Sequence, residues 1–333
     1  MLEAKVAGNI FYSKNKWGYF NVKDIVKHGN GNSLFHLYVH DSGLFGMLLC
    51  CWWSMHKKII SITFDYHDWI PWEISYQLSR RIKSPQIVRI FSKYIYSFSK
   101  FFFSAVRINN VIGISENQVK EFKKDYKLTN ARQLVIPNTR KKIHLKKAVY
   151  NNNFDGVLWI GNVMKGRDLD ILSSYIVKYN ERNHTQFNLY IIGNIFDEDY
   201  FHSLKSQKHI IYLNSFKSDS DILEKIQRIN VAGFFYGWDD IYDTGINSIA
   251  SPNKAYSYVN IGIPTIMGDH MSSLKSSFEN SVNSIFWIDC YLDFEKSIDY
   301  IKINYKVIIE SYDISTIWED ELEQEIESFF MLK

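Results

Sequence analysis

Short apolar runs of four to six residues recur through the second half of the chain, each stopping at a glycine or a polar residue: VLWIGN, FNLYIIGN, HIIYLNSF, VAGFFYG and PTIMGD. Stretches with helical spacing separate them. Runs this short and this uniformly apolar fit strands buried on both faces, and their alternation with helices selects a parallel sheet wound on both sides. Open sheets of this kind bind ligands beyond the C-terminal ends of their strands, which is where the polar residues fall.

The first half follows the same pattern. SLFHLYVHDSG reads as a strand ending in polar residues, GLFGMLLCCWWSMH as an apolar helix, and KKIISITFDYHDW as a second strand that again ends in His and Asp. That is a βαβ unit. NNVIGIS and ARQLVIPNT are a third and a fourth strand, the last stopped by Pro137, and Ser115 with Gln118 makes a capping box for the helix between them. RKKIHLKKAVYNNNFDG has no period and reads as a linker, so the expected boundary is at residue 145. A domain over 1–145 precedes one over 146–333, which ends in the acidic helix DISTIWEDELEQEIESFFMLK. With 333 residues and 46% apolar content, two cores are within reach. The fold class is therefore α/β, with two doubly wound Rossmann-like domains facing a cleft.

The net charge of +3 averages two opposite halves. Residues 1–150 hold 24 Lys and Arg against 9 Asp and Glu, and the remainder holds 15 against 27, giving +15 and −12. A basic half points to an anionic surface. The absence of an aromatic and basic strand signature argues against nucleic acid. Residues 86–107 place Arg89, Lys93, Lys100 and Arg107 along one helical stripe, with Phe101 to Phe103 nearby. Two readings remain: an amphipathic helix resting on an anionic membrane, or an ordinary half-buried helix. Three cysteines, Cys50, Cys51 and Cys290, suit neither a disulfide framework nor a metal site. The longest apolar stretch, residues 44–55, is too short to span a bilayer. The first twenty residues carry charges where a signal peptide needs an apolar run, so a cytoplasmic location is expected, peripheral on the inner face of the membrane if the helix reading holds.

Two turns concentrate candidate binding residues. IGNVMKGR places Gly161 after a strand and Lys165 and Arg167 before a helix starting around Asp168. Close backbone approach, a helix start and two cations suit a phosphate. SPNKAYSYVNIGIP places Ser251, Asn253 and Lys254 at a second helix start, which Gly262 ends and Pro264 follows. Together these suit the two sides of one diphosphate. Across the cleft, His40-Asp41 and His67-Asp68 end neighbouring strands and offer acid and base groups. Phosphates neutralised by Lys and Arg need no metal, and none is expected.

HDSG and FDYHDWIPWE resemble strand ends of the acceptor domain of GT-B glycosyltransferases, specifically family 4-like enzymes of bacterial surface polysaccharide synthesis. VIGISENQVKEF with LVIPNT, LWIGNVMKGRDLDIL, and SPNKAYSYVNIGIPTIMGD are similar in order to later segments of that group, over about residues 35–270. The resemblance implies a retaining transfer of a sugar from a nucleotide-diphosphate donor to a lipid-linked glycan, in capsule, O-antigen or exopolysaccharide synthesis. It implies that Lys165, Arg167 and Lys254 neutralise the diphosphate and that Ser251 and Asn253 fix the turn around it. His40 would stand near the transferred sugar with Asp41 beside it, and Asp68 would orient an acceptor hydroxyl. The group's ribose-holding Glu falls at Ser257, and a frequent partner Glu at Ile249, so the ribose contact is expected to be weaker or supplied elsewhere. The opening before HLYVHD is shorter than in the family, which makes the first domain abbreviated. Alternative readings are a non-catalytic sugar-nucleotide-binding subunit of a polysaccharide assembly complex and an epimerase of the same fold.

Overall fold

The computed structural model of the chain describes residues 35–40, 55, 59–66, 69–103, 108–138, 149, 153–238, 240, 242–278, 282, 284–312 and 319–330. These form two parallel sheets. The first has the order β1-β2-β3-β4, from β1 (Phe35–His40), β2 (Ile59–Tyr66), β3 (Asn110–Gly113) and β4 (Arg132–Val135). All its pairings are parallel, as crossover connections require. α1 (Ile70–Ser79) and α2 (Pro85–Phe103) follow β2, and α3 (Glu116–Asp125) joins β3 to β4. The Ser115 hydroxyl accepts the Gln118 backbone N–H at 3.2 Å, as the capping pattern predicts. The Gln118 side chain, however, accepts from the Ile114 backbone N–H at 2.8 Å, one residue earlier than in a capping box. Apart from Met55, the helix expected over 43–56 lies outside the described residues, as does the boundary at residue 145.

The second sheet has the order β10-β9-β8-β5-β6-β7. Its strands are β5 (Gly156–Ile160), β6 (Asn188–Ile192), β7 (Ile210–Tyr212), β8 (Val231–Phe235), β9 (Thr265–Gly268) and β10 (Ile285–Ile288). Counted from β5, this is the 3-2-1-4-5-6 arrangement of the dinucleotide-binding sheet, and the winding reverses between β5 and β8. The sequence reading finds five of these strands and misses β10, an edge strand of four residues whose first three are only half-buried. The connecting helices are α4 (Leu169–Asn183), α5 (Glu198–Lys205), α6 (Asp219–Lys225), α7 (Ile246–Ile249), α8 (Asn253–Asn260), α9 (Ser272–Phe278) and α10 (Tyr291–Glu310). β5 and β8 are buried at every residue because helices cover both faces. Trp159 and Phe234 pack on one face with α4 and α10, and Leu158, Ile160 and Phe235 pack on the other with α8.

Two segments tie the lobes together. α7 leaves the second sheet and contributes Ile246 and Ile249 to the core of the first, beside Trp69 and Val119. The Ser115 hydroxyl donates to the Ile249 carbonyl at 2.9 Å, and the Trp69 indole N–H to the Thr244 carbonyl at 2.6 Å. The last helix, α11 (Glu319–Phe330), is expected to end the second domain, yet its Phe329 packs on Ile112 and Leu134 of the first sheet. The Arg132 guanidinium lies 4.7 Å from the Phe329 ring centroid, so an apolar ring on a charged helix finds both a buried slot and a cation.

Candidate functional site

The loops after β5 and β8 flank the winding reversal, and there the backbones of Arg167 and Trp238 pair in an antiparallel bridge. The β5 loop reaches this position by crossing β6 closely. A Cβ at Gly193 (φ 158°) would stand 1.6 Å from the Gly161 carbonyl oxygen, so only glycine fits at the end of β6. Gly161 itself has φ 147° and donates its N–H to the Ile192 carbonyl at 3.0 Å.

Asp168 organises the interior of this site, a role that sequence reasoning missed. It stands at the start of α4 without capping it. Its carboxylate instead accepts from the Trp159 indole at 2.6 Å, from the Tyr236 backbone N–H at 2.8 Å and from the Lys254 ammonium at 3.0 Å. The Asp168 side chain is fully buried and that of Lys254 is 12% exposed. The Lys254 nitrogen also lies 4.6 and 4.3 Å from the ring centroids of Trp159 and Phe235. Burial pulls the Lys254 pKa down to about 8, against the opposing pull of Asp168. Lys254 therefore joins the first turn of α8 to the loops after β5 and β8, and its charge is already matched by a carboxylate.

Arg167 differs. Its guanidinium lies 5.8 Å from the Trp238 ring centroid, and no carboxylate among the described residues forms an ion pair with it. Burial lowers its pKa, with the nearby Asp168 charge opposing. Arg167 lines a cavity of about 310 Å³ between the two sheets, together with Trp238 and Asn253 from the second lobe and Trp69, Trp72 and Asn138 from the first. Larger hollows of about 550 and 690 Å³ run along α10, one of them at Phe154, before the N-terminal end of β5 and away from the strand ends that bind ligands.

The other expected residues are distributed as follows. Lys165 is exposed in the turn before Gly166 and does not line the cavity. Ser251 is buried and also lines it. Its hydroxyl bonds to that of Tyr256 at 2.9 Å, and its carbonyl accepts from the Asn138 amide. Asn253 is exposed in the first turn of α8. Ser257 is 2% exposed within a run of buried α8 residues and faces the core rather than the cavity. Gly262, with φ 73°, follows the end of α8 as expected. His40 ends β1 opposite Asp65 of β2. Asp41 and Asp68 lie outside the described residues. No group of three or more His, Cys, Asp or Glu among the described residues is arranged to hold a metal ion.

No family model matches the chain, and no curated protein matches it in sequence. Solved structures do. Anabaena HepE in complex with UDP aligns with a TM-score of 0.56 at 13% identity, over 89% of this chain and 79% of that one. HepE in complex with UDP-glucose aligns at 0.53 and 12%, over 89% and 79%. The fold is GT-B. WaaG, a glycosyltransferase involved in lipopolysaccharide biosynthesis, aligns at 0.49 and 10% identity, over 75% of this chain and 72% of that one. In GT-B terms, the cavity lies in the cleft between the lobes, at the switch point of the second.

Proposed function

We propose that this chain is a glycosyltransferase that binds a nucleotide-diphosphate sugar in the cleft and passes the sugar to a lipid-linked glycan acceptor, with retention of configuration, in the synthesis of a bacterial surface polysaccharide. One observation carries the reading. Arg167 is a partly desolvated cation with no carboxylate in ion-pair contact, in a cavity at the switch point of a parallel sheet. A diphosphate leaving group would supply the missing charge, and a cation preorganised there stabilises that charge as the bond to the sugar breaks. Asn253 stands beside it at the start of α8. Lys254 acts one step back, holding Asp168, the β8 loop and α8 in register. His40, Asp41 and Asp68 remain the proposed acceptor-side groups, and no metal is required for this charge balance. HepE is known with UDP and with UDP-glucose, so uridine diphosphate sugars are the first donors to try.

The test is a thermal-shift and calorimetric panel of nucleotide sugars. One donor should stabilise the wild type, and Arg167→Ala should weaken its binding by about 10–100-fold, the worth of a charge-assisted hydrogen bond. Lys165→Ala should change it little. Equal binding by Arg167→Ala would overturn the assignment. Binding without turnover on any acceptor would favour the non-catalytic subunit, a reading consistent with Ser257 being buried where the family has a ribose-holding Glu.

The membrane part of the proposal rests on α2, which has three faces. Val88, Ser92 and Ser99 are buried. Arg89 and Lys93 approach Asp243 at 2.6 and 3.4 Å, and Lys100 approaches Asp125 at 2.5 Å, so the expected cation stripe is a flank engaged with protein carboxylates. The helix ends at Phe103, and Arg107 lies outside the described residues. Ile87, Ile90, Phe91 and Tyr94 form the exposed face. Residues 74–115 hold seven Lys and Arg and no carboxylate, which suits an anionic bilayer under that face. No described helix is long and apolar enough to cross a membrane. Ile90→Ser with Phe91→Ser should abolish pelleting with anionic vesicles, and undiminished pelleting would remove the membrane from the proposal.

A further inference from the structure

The cleft cavity holds more aromatic surface than a diphosphate needs. Trp69 is 7% exposed and its indole N–H is taken by Thr244, so it is part of the wall. Trp72 and Trp238 are half-buried, and neither indole N–H has a protein acceptor among the described residues. Trp72 is held from behind by Tyr76, stacked at 5.2 Å and 7°, and Trp238 by the edge of Phe235 at 5.4 Å and 82°. Both rings are therefore fixed. The Asn138 amide nitrogen is committed to the Ser251 carbonyl, which orients the group while leaving its oxygen without a donor. The Asn253 side chain has no protein partner among the described residues.

Rigid indole surface, free N–H donors and amide groups at the rim match a molecule that is apolar on one face and ringed by hydroxyls. That is the chemistry of a pyranose. Its C–H face gains from contact with an indole, and its equatorial hydroxyls meet the N–H and amide groups that lack partners. A purely apolar ligand would leave Arg167 buried without compensation. A bare anion would make no use of the two tryptophans. The volume, about 310 Å³, is at the bottom of the range of about 300–1,000 Å³ seen for ligand pockets, which suits one sugar ring beside a phosphate rather than a whole nucleotide sugar.

We propose that this cavity is a pyranose subsite in which Trp72 from the first lobe and Trp238 from the second hold the sugar ring, with Asn138 and Asn253 reading its hydroxyls. The inference rests on the transferase reading and names the substrate class of its cleft. The ring belongs either to the donor or to the end of the acceptor glycan, and the chemistry is the same for both.

Saturation-transfer NMR with a panel of methyl pyranosides (gluco, galacto, N-acetylglucosamino and rhamno) tests it, alongside calorimetry with UDP. At least one pyranoside should bind the wild type, and Trp72→Ala and Trp238→Ala should each weaken it by about ten-fold. Trp72→Phe, which keeps a ring and loses the N–H, should fall between. Each variant is checked for an unchanged melting temperature. Displacement of the pyranoside by UDP-glucose and not by UDP assigns the ring to the donor, and displacement by neither assigns it to the acceptor. The proposal is overturned if no pyranoside binds, if binding ignores both tryptophans, or if uridine alone takes the indole contacts. Pyranoside binding without nucleotide binding would sink the donor reading and leave the subsite, whereas nucleotide binding without pyranoside binding would do the reverse.

Discussion

Lys254→Met separates a structural lysine from one that holds the ligand. The substitution keeps the length and apolar stem of the side chain and removes the ammonium 3.0 Å from a carboxylate with no solvent exposure. Asp168 would retain the Trp159 indole and the Tyr236 backbone N–H, and would lose its only counter-charge among the described residues. Breaking one side of a buried ion pair costs about 3–5 kcal/mol, because the remaining charge is stranded. At about 2–4 °C per kcal/mol for a unit of this size, the melting temperature should fall by on the order of 10 °C. Asp168→Asn in the same chain preserves an acceptor for both donors and removes the stranded charge, so the double variant should recover more than half of the loss. Urea unfolding of wild type, both single variants and the double variant completes the cycle. A loss below about 1 kcal/mol for Lys254→Met, accompanied by abolished nucleotide binding, would mean that the lysine leaves Asp168 for the ligand, and the structural role argued here would be refuted.

Three further outcomes follow from the same geometry. The Lys254 pKa of about 8 lies below the unfolded value of about 10.4, so its contribution to stability is fully present above the latter and is lost as pH falls through the former. The wild type should gain stability between those limits relative to Lys254→Met, and parallel profiles would contradict the assigned burial. Trp69→Phe removes the indole bond to Thr244 and should lower stability by about 0.5–1.5 kcal/mol by urea unfolding, while loosening protease protection of the 240–245 loop. Phe329→Ala empties the slot between Ile112 and Leu134 and should cost about 3 kcal/mol, and an unchanged urea midpoint would show that α11 does not need the first lobe.

The sheets were legible because a strand buried on both faces must be apolar at every position, and β5, β6 and β8 are nearly so. β10 was not, since an edge strand with half-buried residues looks like its surroundings. The two cationic turns were legible as helix starts, yet which cation faces the cleft was not. Lys254 and Arg167 both precede or open helices in sequence, and their difference comes from Asp168, whose carboxylate is drawn inward by an indole and an amide that no local pattern reveals. The tryptophans of FDYHDWIPWE were visible as residues, but their convergence with Trp238 depends on the docking of two lobes 150 residues apart in the chain. The destination of α11 was invisible for the same reason, because an amphipathic helix shows that it has a face to bury and not where.

The chain laces its halves together twice, once by α7 inserted below β3 and once by α11 folded back over β4. A single connecting strand would let the halves swing apart like a door. With two stitches on different sides, the remaining low-cost motion is a twist or slide of one half across the other. Any ligand that fills the crevice must then be admitted by a change of angle between facing walls, and rings fixed on those walls, Trp72 on one and Trp238 on the other, would register that angle directly in their fluorescence.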